Sequence, residues 1–295
     1  MNLVQAITAR VWPGGFKPVI CARGGCAQWL SEKQLANRRL GVTMGEEWYC
    51  SYRCFAAAAD ARFAALVAER YLPCTHVPRM SLGLRLVRNG ELSAEQLRTG
   101  TEVQRSAGGE IGDVLVRLGF VSEAQITAVR AAQWGCPVFA VQRVALPAMA
   151  HIPHALMRAY VMAPVHYSAS ANRLLVGFVQ AVDYSALYGV EQLTGCKTRA
   201  CFITRSEYEA QCSASDGEAE DLLFEGITSS TEMARILCSY GVLESADEVE
   251  IARCKEHLWS RLRCRSRAVD ILFRIDRPPA GHVPYGALET SSEAM

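Results

Sequence analysis

The chain has 295 residues, half of them apolar and 21% charged, with a formal net charge of +1. That composition suits a folded chain with room for two or three cores and excludes an intrinsically disordered one. The near-neutral balance excludes a global field that would draw in nucleic acid or an anionic membrane, and it leaves a local basic patch open.

No apolar run reaches the roughly 18 residues that a membrane-spanning helix needs. The longest, ALMRAYVMAPV, is broken by Arg158 and Pro164. The first stretch, MNLVQAITARVWPGG, lacks the basic flank and long apolar segment of a signal peptide. The expected location is the cytoplasm, and twelve cysteines fit it if most are reduced.

The first unit is expected over residues 1–72. CARGGC supplies Cys21 and Cys26, and CSYRC supplies Cys50 and Cys54. Two close thiol pairs on separate turns offer the four soft ligands of a structural zinc site. Gly24 and Gly25 allow the tight turn between the first pair. The second pair opens an alanine-rich segment from Phe55 to Tyr71 with strong helical propensity. The picture is a knuckle, a short hairpin and a helix that begins at the metal. WYCSYRCF resembles the second half of a treble-clef zinc finger. Four buried or free thiols are the alternative. Cys74 and His76 are other potential ligands, set aside because Pro73 and Pro78 flank them beyond the helix. Four protein ligands leave no open position for catalysis at the metal. Lys33, Arg38 and Arg39 make a thin basic patch, so a structural or protein-contact role is favoured over nucleic-acid binding. Cys136, Cys196, Cys201, Cys238, Cys254 and Cys264, like Cys74, have no ligand-like spacing and read as small buried hydrophobes.

Residues 81–104, SLGLRLVRNGELSAEQLRTGTEVQ, and 110–133, EIGDVLVRLGFVSEAQITAVRAAQ, match at eight of 24 positions at an offset of 29. Each copy predicts a short helix, a glycine stop, a cap and a second helix. In the second copy Ile111, Val114, Leu115 and Leu118 make the apolar stripe, Gly119 is the C′ residue, and Ser122 with Gln125 makes a capping box. The first copy repeats this with Leu82, Leu86, Gly90, Ser93 and Gln96. Both end on a glutamine, Gln104 and Gln133.

A helix is next expected over 152–160, then strands in VMAPVHYS and RLLVGFVQ. A helix from Asp183 through Leu193, a strand over 197–203 and a helical turn in SEYEAQ complete a small αβ unit. SASDGEAED reads as linker. TSSTEMARILCSYGVL predicts a helix, and VEIARC, HLWSRLRC and AVDILFRI predict an antiparallel meander. Val269, Ile271, Phe273 and Ile275 should share one face of the last strand, with Asp270 and Arg274 on the other. So small a unit needs a neighbour or a second copy to pack on. Arg253, Arg261, Arg263, Arg265, Arg267 and Arg274 suggest a solvated face, or a surface for an anionic partner.

The tandem copies, with IPHALMRAYVMAPV, RLLVGFVQAVDYSAL and EQLTGCKTRACFI, resemble the MshEN-type N-terminal domain of type II secretion and type IV pilus assembly ATPases. The resemblance covers residues 79–211. It implies cyclic di-GMP binding by two matched half-sites. Leu82, Gly83, Leu86 and Gln104 would serve the first, and Ile111, Gly112, Leu115 and Gln133 the second. The sequence departs where the family motif has arginine, with Ser81 in one copy and Glu110 in the other. Losing each bidentate contact to guanine costs about 1–3 kcal/mol. The P-loop of those ATPases, GxxxxGK[ST], is not found, so no ATPase activity is expected. His151, His154 and His166 form no metal-like pattern and read as surface or supporting residues.

The expected fold class is α+β and multi-domain. It comprises a small zinc finger (1–72), the tandem helical hairpins plus small αβ unit (79–211), a linker (213–226), a C-terminal helix with an antiparallel meander (227–277) and a tail (278–295). The expected function is a non-enzymatic regulator or adaptor that works through a protein partner in secretion, pilus assembly or signalling. The alternatives are a cyclic di-GMP receptor and a nucleic-acid-binding regulator acting through the finger.

Overall fold

The computed structural model describes residues 18–31, 40–69, 78–141, 147, 150–215, 221–264 and 267–275. Lys33, Arg38, Arg39, Cys74, His76, Arg265 and the segment 278–295 lie outside the described residues. The architecture is α+β. Strands β1 (Pro18–Ile20) and β2 (Trp29–Ser31) form an antiparallel ribbon, and β3 (Val42–Met44) and β4 (Glu47–Tyr49) form a second. Helix α1 (Tyr52–Ala68) follows. Next come α2 (Leu82–Arg88), α3 (Ala94–Ala107), α4 (Ile111–Arg117) and α5 (Glu123–Trp134). The αβ unit runs through α6 (His154–Tyr160), β5 (Met162–Ser168), β6 (Arg173–Phe178), α7 (Tyr184–Thr194), β7 (Lys197–Phe202) and α8 (Arg205–Ser215). The last elements are β8 (Asp221–Phe224), α9 (Ser230–Glu244), β9 (Glu248–Cys254), β10 (His257–Arg263) and β11 (Ala268–Arg274).

The meander β9–β10–β11 is antiparallel throughout, with its period-2 alternation intact. Val249, Ile251, Leu258, Leu262, Val269, Ile271 and Phe273 face one side. The neighbour that covers them is the chain's own N-terminal segment together with α9. From α1 come Phe55, Ala59, Phe63 and Leu66, and from α9 come Met233, Ala234 and Leu237. Phe63 and Phe273 meet edge to face at 5.5 Å, an arrangement that adds about 1 kcal/mol beyond area burial. The hairpin β3–β4 joins the same sheet, and Thr43 donates its N–H to the Asp247 carbonyl at 2.9 Å. The result is a six-stranded sheet in the order β4-β3-β9-β10-β11-β8. Described residues of the expected first unit, from Val19 to Leu66, and of the expected C-terminal unit, from Ile227 to Ile275, therefore share one core. Within the stretch read as linker, Asp221–Phe224 forms β8, parallel to β11.

The other face of this sheet meets the αβ unit. Ala252, Cys254, Trp259 and Leu272 join a core with Leu156, Met157, Phe178, Val190 and Phe202. Helix α7 approaches β9 so closely that a Cβ at Gly189 would lie 2.1 Å from the Cys254 Sγ. Arg263 donates to the Leu193 carbonyl at 2.9 Å, and Tyr160 donates its hydroxyl to the Cys254 carbonyl. The smaller sheet has the order β5-β6-β7, antiparallel then parallel.

Among the described residues, the C-terminal arginines are paired rather than free. Arg261 pairs with Asp270, Arg263 with Glu250, Arg267 with Glu244 and Arg274 with Glu225. Arg253 donates to the carbonyls of Leu66 and Glu69 at the end of α1. Sequence clustering overstated their free charge because the partners come from other elements.

Candidate functional site

Two chemically distinct constellations stand out, a tetrathiolate cluster and the tandem hairpins. The sulfurs of Cys21, Cys26, Cys50 and Cys54 all lie within 4.8 Å of one another. The Cys50–Cys54, Cys26–Cys50 and Cys26–Cys54 separations are 3.4, 3.8 and 4.0 Å. Zn–S bonds of about 2.3 Å set the edges of a tetrahedron at about 3.8 Å, so the four residues fit one mononuclear ion. Local structure explains the placement. Gly25 takes a φ of +81° in the turn between the first pair. The Cys26 N–H donates to the Arg23 carbonyl at 3.1 Å, and the Ala22 N–H reaches the Trp48 carbonyl at 2.8 Å. Helix α1 starts at Tyr52 with Ser51 as its N-cap, so Cys50 precedes the helix and Cys54 lies in its first turn. The two cysteines thus flank the helix start, which brings their sulfurs to 3.4 Å. Arg23 donates to the Cys54 Sγ from 3.8 Å, and this hydrogen bond holds that thiol down to about 7. A cation beside a tetrathiolate offsets part of its net negative charge.

The other thiols differ. Cys196, Cys201 and Cys254 are fully buried, and burial pushes the thiols of Cys201 and Cys254 up to about 12. They behave as small hydrophobes, as expected. Cys136, Cys238 and Cys264 are half-buried.

The tandem hairpins obey their local signals closely. Ser93 with Gln96 and Ser122 with Gln125 form complete capping boxes. Gly90 and Gly119 follow the C-caps at φ +78° and +71°. Equivalent residues make equivalent contacts. A Cβ on Gly83 would meet Leu97 at 2.4 Å, and one on Gly112 would meet Ile126 at 3.2 Å. Leu86 and Leu115 have no exposed surface, and Leu82 is buried with them. Gln104 donates to the Gly109 carbonyl at 2.9 Å, while Gln133 donates to the Met80 carbonyl at 2.7 Å. The eight residues assigned to the half-sites thus lie at the contacts within and between the hairpins. Ile111 and the two glutamines retain partial exposure.

The two departures from the motif play different parts. Ser81 caps α2 by accepting from the Leu84 N–H. Glu110 precedes α4 and pairs with Arg130 at 3.4 Å. Arg130 is 5% exposed and donates to the Val179 carbonyl at 2.6 Å, tying α5 to the end of β6. Sequence reasoning missed this arginine because its partners lie 20 and 49 residues away. Arg205 with Asp113 and Ser206 with Glu123 reinforce the same junction.

A second group of ligand-type side chains comprises His151, Asp221 and Asp270. Arg261 occupies both Asp270 oxygens at 2.8 Å, and Trp259 donates to one of them at 2.7 Å. A guanidinium inside the shell works against a cation there. Asp221 instead accepts from the His154 N–H at 2.7 Å and sits 3.3 Å from His151 Nε2. The two histidines thereby fasten β8 to the start of α6, while His166 is exposed beside Phe139. Among the described residues, no helix is long and apolar enough to cross a membrane.

No family model matches the chain. Over 129 residues it is 30% identical to the type IV pilus assembly ATPase PilB of Thermus thermophilus, a match covering 43% of this chain and 14% of that protein. The solved structure of MshE with cdg covers 46% of this chain and 99% of that one, at 24% identity and a TM-score of 0.38. The N-terminal domain of XpsE covers 47% of this chain and 96% of its own, at 18% identity and a TM-score of 0.36. The chain thus spans a small fraction of the pilus ATPase it matches, and the resemblance is that of one segment of 129 residues.

Proposed function

We propose that this chain is a non-enzymatic adaptor that carries a secretion-ATPase N-terminal-like module and works through a protein partner. A zinc ion held by Cys21, Cys26, Cys50 and Cys54 serves structure. The observation that carries the reading is the commitment of the tandem hairpins to internal contacts. The leucines and glycines of the repeats pack the hairpins, and the glutamines hold backbone carbonyls. At the motif position a carboxylate stands in place of a guanine-reading arginine, and the nearest buried arginine is spent on Val179 and Glu110. A negative charge there opposes an anionic nucleotide.

Calorimetry with cyclic di-GMP at up to about 300 µM tests it directly, a range that detects affinities far weaker than a signalling receptor needs. The adaptor reading expects no heat. Saturable binding that a Gly112→Trp variant abolishes would replace it with the receptor reading. Salt-dependent retention of the chain on duplex DNA would instead favour the nucleic-acid reading.

A further inference from the structure

Strand β7 is an edge of the three-stranded sheet, and among the described residues neighbouring chain pairs only with its end. Phe202 donates its N–H to the Pro137 carbonyl at 2.8 Å and accepts from the Phe139 N–H at 2.9 Å. Residues 137–139 thus run beside the end of β7 in the parallel sense. Backbone groups alternate along a strand, so Thr198 and Ala200 present theirs to the same side as Phe202. The Thr198 N–H confirms this direction by donating to the Glu191 carboxylate at 3.0 Å. Ala200 lies between that capped position and the covered end. Gly135, in the left-handed region at φ +64°, turns the preceding chain away from the line of the strand. A groove of about 400 Å³ opens there, lined by Cys136, Pro137, Tyr184, Tyr188, Arg199 and Ala200 among others. Tyr188 is 63% exposed, Tyr184 43%, and the adjoining Val138 52%.

We propose that this groove seats a short extended segment of a partner protein. The segment lies along β7 upstream of residues 137–139 and exchanges backbone hydrogen bonds with Ala200. It sets an apolar side chain against Tyr184 and Tyr188 and an acidic one toward Lys197 and Arg199. Three observations select this occupant. Residues 137–139 show that extended chain fits this edge at strand spacing. Tyrosines one helical turn apart supply the large, amphipathic contact that protein interfaces favour. The charge at the mouth is net positive, because the exposed cations Lys197 and Arg199 outnumber the one carboxylate of the lining, Glu191, which also accepts from Thr198. A second copy of this chain would bring the same cations to the groove. The open edge is about three residues long at 3.3 Å each, so the bite is short and the tyrosines carry most of the affinity.

The proposal rests on the adaptor reading only in taking a protein as the occupant, and the cyclic di-GMP titration leaves it untouched. A phage-displayed library of random peptides of about twelve residues is panned against the full chain. Recovered peptides are then measured by fluorescence polarisation on the wild type, Tyr188→Asp and Arg199→Glu. Both side chains are exposed, and a thermal melt checks that the variants fold. The expected peptides share an acidic and an apolar position, and each variant weakens them by about tenfold or more. Swapping the peptide's acid for lysine restores binding to Arg199→Glu. Recovery of no peptide that prefers the wild type to these variants overturns the proposal. A dimer in light scattering that Tyr188→Asp dissolves overturns it too, by assigning the groove to a second copy.

Discussion

The Gln133 side-chain amide donates to the Met80 carbonyl at 2.7 Å, directly before the N-cap of α2. Gln104 donates at 2.9 Å to the carbonyl of Gly109, directly before the N-cap of α4. Each hairpin's last glutamine therefore holds the start of the other hairpin, and the two bonds are related by the 29-residue repeat itself. This reciprocal exchange gives the repeat a structural reason independent of any ligand. Gln133→Ala should cost about 1 kcal/mol, since it strips a partly buried carbonyl of its donor. Gln104→Ala should cost less, because its contact is exposed and water replaces it. Urea unfolding of the two variants checks the order. Equal and negligible effects would show that the hairpins hold together by their apolar stripe alone.

Local features were legible in the sequence, and non-local pairings were not. The capping boxes at Ser93 and Ser122 and the stops at Gly90 and Gly119 follow from groups a few residues apart. The four thiols were legible because ligand chemistry restricts which residues can gather. The composite sheet was hidden. Strand β3 has three residues, and its partner β9 lies about 200 residues on, too little pattern to announce a strand pair. Strand β8 was read as linker because DLLF sits in acidic text, yet Leu222 and Phe224 pack on the sheet's core. The terminal glutamines were visible as a repeat but not as staples, since their acceptors are backbone atoms that no sequence pattern marks.

Removing the metal should disturb both ends of the chain. The thiols fix the turn that meets Trp48 and the start of α1, and α1 lies on the C-terminal meander. About one equivalent of zinc is expected on purified protein. Chelation should speed amide exchange in β3, β4 and α1 and along β9, while α2–α5 keep their protection. Less than about half an equivalent of metal, with unchanged exchange after chelation, would remove the ion from the account.

The packing of α1 on α9 depends on Gly241. A Cβ there would lie 2.3 Å from the Tyr52 ring, whose hydroxyl donates to the Ala246 carbonyl at 3.0 Å. Gly241→Ala must shift a side chain held at both ends, and overpacking of this kind costs about 1–3 kcal/mol. In combination with Tyr52→Leu the loss should shrink, because the clash is gone. A double-mutant cycle measures that coupling, and simple additivity would contradict the contact.

Asp270 and Arg261 are 2% and 1% exposed and joined by two bonds of 2.8 Å. Asp270→Asn keeps the shape but leaves a buried guanidinium without its counter-charge, which costs about 3–5 kcal/mol. The paired replacement Arg261→Met with Asp270→Leu removes both charges and should recover much of that loss. A double variant no more stable than Asp270→Asn would mean that the bonds to Trp259 and the His151 carbonyl carry the node instead.

Acid should loosen the junction of α6 with the C-terminal sheet through His257. Its Nδ1 lies 3.2 Å from the Tyr160 hydroxyl, and its ring stands edge-on to that of Tyr160 at 5.9 Å. Burial, then the charge of Arg274, holds the imidazole below its ordinary value of 6.5. Above that value both folded and unfolded states are neutral at this position, and the residue contributes no pH dependence. As pH falls through it, the unfolded chain takes up the proton first, so stability drops until the folded state can also be protonated. Glu250 works the opposite way, because burial raises its carboxyl, and it protonates first in the fold as pH falls. The useful quantity is therefore the difference between the wild type and His257→Gln, which leaves Glu250 in place. Urea midpoints between about pH 7 and pH 5 should fall more steeply for the wild type. Parallel slopes in the two proteins would show that another group governs the acid response.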